Sequence, residues 1–108
     1  MVTQCTKGET YSTYVNTVWN NYLHYRNQCI ELCLSFRVAA LSSGSSYGLF
    51  YIPSGYQPRY QIENMYVTVS SHQYFSVTIT PNNVININPK SNIPANDILL
   101  IHEVWIQK

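Results

Sequence analysis

Five carboxylates, three histidines and three cysteines are the side chains in this 108-residue chain suited to acid–base, nucleophilic or metal chemistry. The carboxylates are Glu9, Glu31, Glu63, Asp97 and Glu103. Glycoside hydrolysis needs two carboxyl groups about 5–10 Å apart, and the pair that would oppose each other on neighbouring strands is Glu31 and Glu63. Neither sits in a recognisable catalytic context, and exposed strand carboxylates are commonplace. A thiol nucleophile at Cys29 or Cys33 would want a histidine base within about 3 Å, which no local spacing supplies. His24, His72 and His102 fit no metal spacing, since zinc needs several ligands converging at about 2.0–2.3 Å. No acidic calcium loop is present. Catalysis, a metal site and a cofactor are therefore not expected.

The remaining polar chemistry is uncharged. Asn, Ser, Thr, Gln and Tyr fill most polar positions, and charged residues are 10% of the chain against roughly 25% in an average soluble domain. Such a surface exerts little long-range pull on phosphate backbones or anionic lipids. Lys7, Arg26, Arg37, Arg59, Lys90 and Lys108 are scattered, so no nucleic-acid footprint appears. Apolar runs such as 98–101 are far shorter than the roughly 20 residues of a membrane helix. The start lacks a basic stretch followed by an apolar core, so neither membrane insertion nor an export signal is expected.

These groups must be positioned by strands. Residues 29–40 alternate, with Ile30, Leu32, Leu34, Phe36, Val38 and Ala40 on one face and Cys29, Glu31, Cys33, Ser35, Arg37 and Ala39 on the other. Cys29 and Cys33 then lie about 13 Å apart at roughly 3.3 Å per residue, beyond the roughly 7 Å Cα separation a disulfide tolerates. Cys5 has the option of reaching one of them, but the odd count favours three free thiols. Residues 10–19 fit a first strand or strand-like arm that Asn20 and Asn21 break, and 22–25 a short strand that turns through 26–28. Strands are also expected at 47–53, 62–69, 74–80, 84–88 and 97–107, with 62–69 and 74–80 forming a hairpin. No helix is expected. One domain of this length buries about 60–70% of its unfolded surface without staples. Seven to eight short strands separated by turn signals predict an all-β antiparallel sandwich, with residues 1–9 a flexible lead-in and 10–108 the folded head.

The segment from Leu49 to Pro58 is the firmest local signal. Pro53 ends ladder pairing, Gly55 accepts positive φ, and Pro58 presets the exit from the turn. In the final strand Leu99, Ile101 and Trp105 share one face, and Leu100, His102 and Val104 the other, so both faces are largely apolar. That pattern asks for cover on both sides. A subunit interface over Leu99, Ile101 and Trp105 is favoured over cover by a loop or the amino-terminal arm, and His102 is expected as a hydrogen-bonded core histidine.

The order of three motifs resembles the carboxy-terminal head domains of bacteriophage tail fibres and baseplate receptor-binding proteins. Residues 26–32 look like their Y-R-K-x-G-x-x-V-x-L opening, 49–58 are similar to L-F-x-L-P-x-G-Y-R-P, and 77–87 resemble V-x-I-x-x-N-G-x-V-x-I. The resemblance spans roughly residues 10 to 107. Cys29 sits near the family glycine, Gln57 replaces the arginine, and Asn83 replaces the hairpin glycine. Asn83 preserves the turn because Asn tolerates the left-handed region. The resemblance implies a jelly-roll-like head, trimeric at a fibre tip of the virion, touching other tail or baseplate proteins and binding host cell-surface saccharide.

Candidate ligand contacts follow. Arg59 and Tyr60 leave the corner, His72, Gln73 and Tyr74 occupy a hairpin tip where binding residues gather, and Trp19 either stacks on a sugar or plugs the sandwich or an interface. Pro53, Gly55, Tyr56 and Pro58 are expected to build the corner. The alternatives are a trimerisation or tip-capping module with no ligand of its own and, with less support, a cellular carbohydrate-binding module.

Overall fold

The computed structural model describes residues 2–107; Met1 and Lys108, at the limits of the expected lead-in and head, lie outside the described residues. The strands, in chain order, are β1 (Val2–Thr3), β2 (Thr6–Lys7), β3 (Val15–Arg26), β4 (Cys29–Val38), β5 (Tyr47–Tyr51), β6 (Ile62–Val67), β7 (Tyr74–Ile79), β8 (Val84–Pro89) and β9 (Ile98–Ile106). They form a four-stranded sheet in the order β1-β3-β4-β9 and a five-stranded sheet in the order β2-β5-β8-β7-β6. All pairings of these strands are antiparallel. The all-β two-sheet architecture is the one expected from the alternation.

Alternation converts directly into a core. Ile30, Leu32, Leu34, Phe36 and Val38 of β4 are buried, and they meet Leu49, Phe50, Phe75, Val77, Ile79, Ile85 and Ile87 of the second sheet in one cluster. The Phe36 and Phe50 rings touch edge-on, with centroids 5.1 Å apart, an arrangement that puts the positive ring edge on the negative face. Leu49 and Phe50 are consecutive yet both buried because the β5–β8 register shifts between Gly48 and Phe50.

Turn chemistry fixes the registers. Arg26 pairs with Cys29, and both intervening residues have positive φ, Asn27 at 52° and Gln28 at 66°, the signature of a two-residue hairpin whose twist matches its strands. Asn83 takes φ 75° before β8, and β6 and β7 pair as the expected hairpin, from Ile62 with Ile79 to Val67 with Tyr74.

Three expectations need correction. Asn20 and Asn21 do not break the first long strand: β3 runs through both, with register shifts at Val15/Thr17 and Val18/Asn20. Their amides serve as ties instead, Asn20 donating to Ser35 Oγ at 2.8 Å and Asn21 both accepting from and donating to the Cys5 backbone, at 2.8 and 2.9 Å. Residues 11–14 form a single helical turn, α1 (Tyr11–Tyr14), rather than strand. Residues 2–9 are not a lead-in separate from the head. Val2 pairs with His24 in one sheet and Thr6 with Tyr51 in the other, so the segment laces one open side of the sandwich. Gly8 presses so closely on β5 that a Cβ there would lie 2.3 Å from the Gly48 carbonyl oxygen, so only glycine permits this approach.

The corner after β5 behaves as its residues dictate. Gly55 has φ 94°, and its N–H donates to Gln57 Oε1 at 2.7 Å. The Tyr56 N–H closes back onto the Pro53 carbonyl at 3.1 Å, while Pro58 bridges to Gln107. The Tyr56 carbonyl accepts from Trp105 Nε1 at 2.8 Å, and its ring meets Tyr25 edge-on at 6.2 Å.

Strand β9 corrects two further expectations. Leu99, Ile101 and Trp105 are 0%, 2% and 6% exposed, so they belong to the core of the subunit and are not available as an interface. Intrachain cover wins because this face of β9 is the one that meets the second sheet. His102 points the other way and is exposed, as are Leu100, Val104 and Ile106.

Candidate functional site

The residues expected to bind ligand do not converge. Arg59 and Tyr60 are exposed beyond the corner, and with Ile62, Val104, Trp105 and Ile106 they line a hollow of about 280 Å³. At the β6–β7 tip His72 is exposed with φ 57° and Tyr74 is exposed, but Gln73 is a brace. Its amide donates to the Ser71 carbonyl at 3.1 Å and accepts from Ser91 Oγ at 2.6 Å. Beneath this tip lies Asp97, buried and surrounded by donors: Ser70 N–H at 2.9 Å, Ser71 N–H at 3.2 Å, Ile98 N–H at 2.8 Å and the Ser71 hydroxyl. Burial opposes ionisation of Asp97, yet the hydrogen bonds from Ser71, Ser70, Thr68 and Ile98 prevail and hold its carboxyl at about 2. This tip is pinned from below by a nearly buried anion.

Trp19 stands at the rim of a cleft of about 520 Å³ between the amino-terminal lacing and β3, shared with Gln4, Thr6, Lys7, Tyr11 and Asn21. It is 48% exposed, and the Arg37 guanidinium lies over its ring at 5.2 Å. Lys7 lies over the Tyr11 ring at 5.3 Å. The cleft exists because β1 and β2 join different sheets, and Cys5 between them is tied down by Asn21. Its wall offers an indole, a phenol, a free-standing amide at Gln4 and a hydroxyl at Thr6, on a scaffold held by two sheets.

A second constellation occupies the outer face of the four-stranded sheet. Antiparallel register sets two rows across three strands: Tyr22, Cys33 and His102 in one, His24, Glu31 and Val104 in the next. Cross-strand neighbours in such rows are close enough for side chains to touch, directly and on the diagonal. His102 Nε2 lies 2.7 Å from one Glu31 oxygen, and His24 Nδ1 lies 3.8 Å from the other. The hydrogen bond from His102 holds the Glu31 carboxyl below its usual range, partly opposed by desolvation and helped by the charges of His102, His24 and Arg26. Glu31, Cys33 and His102 each present a ligand atom, and the three atoms lie within 4.8 Å of one another. Hydrogen bonding to Cys33, and then its charge, push the Tyr22 phenol above its ordinary value.

Sequence reasoning placed the correct halves of this constellation on one face each, Glu31 with Cys33 and His102 with Val104, and missed that the faces coincide. Histidine spacing along the chain carries no such signal, because Glu31 and His102 are 71 residues apart. The proposed opposition of Glu31 and Glu63 fails for the same reason. Glu31 lies in the four-stranded sheet and Glu63 in the five-stranded one, where it faces Thr78. The inner face held another surprise. Glu103, buried beside Trp105, accepts from Asn64 Nδ2 at 2.8 and 2.9 Å and from the Tyr66 hydroxyl, clamping edge strand β9 to edge strand β6. Burial, and then the bond to Glu103, raise the Tyr66 phenol. The three cysteines are free, as expected, with Cys5 buried and Cys29 exposed. No family model matches this chain, and no curated protein is significantly similar to it in sequence.

Proposed function

We propose that this chain is the non-catalytic, saccharide-binding head of a bacteriophage tail fibre or baseplate receptor-binding protein, contacting host cell-surface glycan at the Trp19 cleft. The observation that carries the reading is the half-exposed indole of Trp19 beside Gln4, Thr6 and Tyr11 on a braced β-sandwich. Aromatic faces take the CH face of a sugar, and amides and hydroxyls fix its orientation. Low charge suits a neutral ligand, and the three ordered motifs supply the phage context. Homotrimeric assembly belongs to the same reading. Leu100, Val104 and Ile106, at 51%, 57% and 55% exposure, provide outward apolar surface for it, the role that the buried Leu99, Ile101 and Trp105 do not fill.

One observation favours the competing reading of a capping or trimerisation module without a ligand. Arg37 already lies over the Trp19 ring, and both ends of the Asn21 amide are engaged by Cys5. A glycan array probed with the assembled protein, followed by binding to bacterial cells carrying the hit saccharide, separates the two. The expected result is specific binding that Trp19→Ala weakens by about tenfold or more, the equivalent of about 1.4 kcal/mol. Binding unchanged in Trp19→Ala but lost in Tyr60→Ala would move the site to the Arg59–Tyr60 hollow. Failure of the assembled protein to bind any glycan or cell would leave the capping reading in possession.

A further inference from the structure

We propose that Glu31, Cys33 and His102 form a three-ligand site for a borderline divalent cation of the zinc type on the outer face of the four-stranded sheet. Their ligand atoms already lie within 4.8 Å of one another. Tetrahedral coordination at about 2.0–2.3 Å spaces donor atoms about 3.3–3.8 Å apart. All three groups lie on the outward face of the sheet, where side-chain rotation, with no movement of the ladder, is the adjustment required. The 2.7 Å contact between His102 Nε2 and Glu31 is held by a shared proton, and a cation placed between the same two atoms would take that proton's place.

The backbone beneath the site is fixed. Cys33 faces His102 across the β4–β9 ladder, and Glu31 is one pleat away on the same side of β4. Strand β4 is paired along both edges, by β3 and β9, so ligand positions are set by the fold before any ion arrives. His24 Nδ1 reaches the second Glu31 oxygen at 3.8 Å, and Tyr22 stands opposite Cys33 in the ladder.

The donor set selects the cation. One thiolate, one imidazole and one carboxylate suit zinc and its borderline neighbours, whereas calcium and magnesium take oxygen ligands. Three protein ligands leave a coordination position open, which on this outward face is filled by water or, in an assembly that uses Leu100 and Val104, by a donor from a neighbouring subunit. Cys29 takes no part, since it lies four residues from Cys33 along an extended strand, opposite Ile106.

Cobalt(II) is the direct probe, because thiolate ligation gives an intense near-ultraviolet charge-transfer band. The full chain, kept reduced, is titrated with cobalt(II) and then with zinc(II), with thermal melts of each variant as a folding control. One cobalt per chain with a charge-transfer band is expected, displaced by stoichiometric zinc, retained in Cys29→Ser and abolished in Cys33→Ser. Affinity should fall at least tenfold in His102→Ala, which tests the same site should Cys33→Ser fail to fold. A wild-type chain that gives no such band, a band that survives Cys33→Ser, or cobalt affinity unchanged in His102→Ala would each overturn the site.

Discussion

Strand β9 carries two chemistries one residue apart. Facing in, Leu99, Ile101, Glu103 and Trp105 are all buried, and the polar atoms among them have committed partners, Glu103 on Asn64 and Tyr66, Trp105 on the Tyr56 carbonyl. Facing out, Leu100, Val104 and Ile106 are about half exposed, and His102 shares a single carboxylate with a histidine on the far strand. Apolar content is similar on the two faces, so hydrophobicity does not say which is core and which is free. The state of the polar groups does. A buried polar group must be satisfied within the fold, and Glu103 is, by donors from the opposite sheet. His102 and Glu31 keep lone pairs and protons facing solvent, as groups available to something outside the chain do.

The contrast can be broken most forcefully at Trp105. Trp105→Ala removes a buried indole and its hydrogen bond to the Tyr56 carbonyl, so a loss of about 3–5 kcal/mol is expected in denaturant unfolding. Val104→Ala, one residue away on the outward side, should leave the dissociated subunit within about 0.5 kcal/mol of wild type. Equal losses at the two positions would mean that the outer face is as tightly covered as the inner one, and the distinction would fail.

A smaller effect is expected from acid, and it compares a sealed carboxylate with the rest of the surface. Asp97 has its carboxyl at about 2 in the fold against an ordinary 3.8. A carboxyl depressed by folding contributes stability above its ordinary value, and that contribution disappears as pH falls through the folded one. The wild-type thermal midpoint should therefore decline between about pH 4 and about pH 2. Asp97→Asn should start lower at neutral pH, and its gap from wild type should close across that window. A gap that persisted unchanged to the acid end would show that Asp97 acts by shape rather than charge.

The same division explains how much of the molecule was legible in the sequence. Period-two alternation revealed β4, because that strand turns one apolar face to the core and its pattern is an image of burial. The 49–58 corner was legible because proline and glycine constrain the backbone locally. Asn20 and Asn21 misled because asparagine usually marks a turn, while here the β3 bulges turn both side chains into ties, a role set by tertiary neighbours. The identity of the inner face of β9 was not legible, since two nearly equal apolar faces differ only in what the other sheet presents to them. The Glu31, Cys33 and His102 cluster was hidden for a related reason: it is a product of register between strands far apart in the chain, and register leaves no mark on either strand alone. The amino-terminal pairings were lost to a different cause, as two-residue strands are too short to show a period.

The smallest effect extends the inner and outer contrast to the thiols. Cys5 is buried, and burial pushes its thiol up to about 12, so almost no thiolate is present at neutral or mildly alkaline pH. Reactivity follows the thiolate and its access. Cys29 is exposed and Cys33 partly so. A chromogenic disulfide reagent at mildly alkaline pH should therefore modify Cys29 and Cys33 in the native protein, and Cys5 only after denaturant is added. Cys5 sits between β1 and β2, with its N–H held by Asn21 at 2.8 Å, so its protection reports whether the amino-terminal lacing stays closed. Native-state modification of Cys5 at the rate of Cys29 would mean that residues 2–7 open readily, and the Trp19 cleft they wall would open with them. Slow modification with no change in the melting midpoint would instead place that lacing among the stable parts of the fold, and the cleft it walls would be a fixed surface.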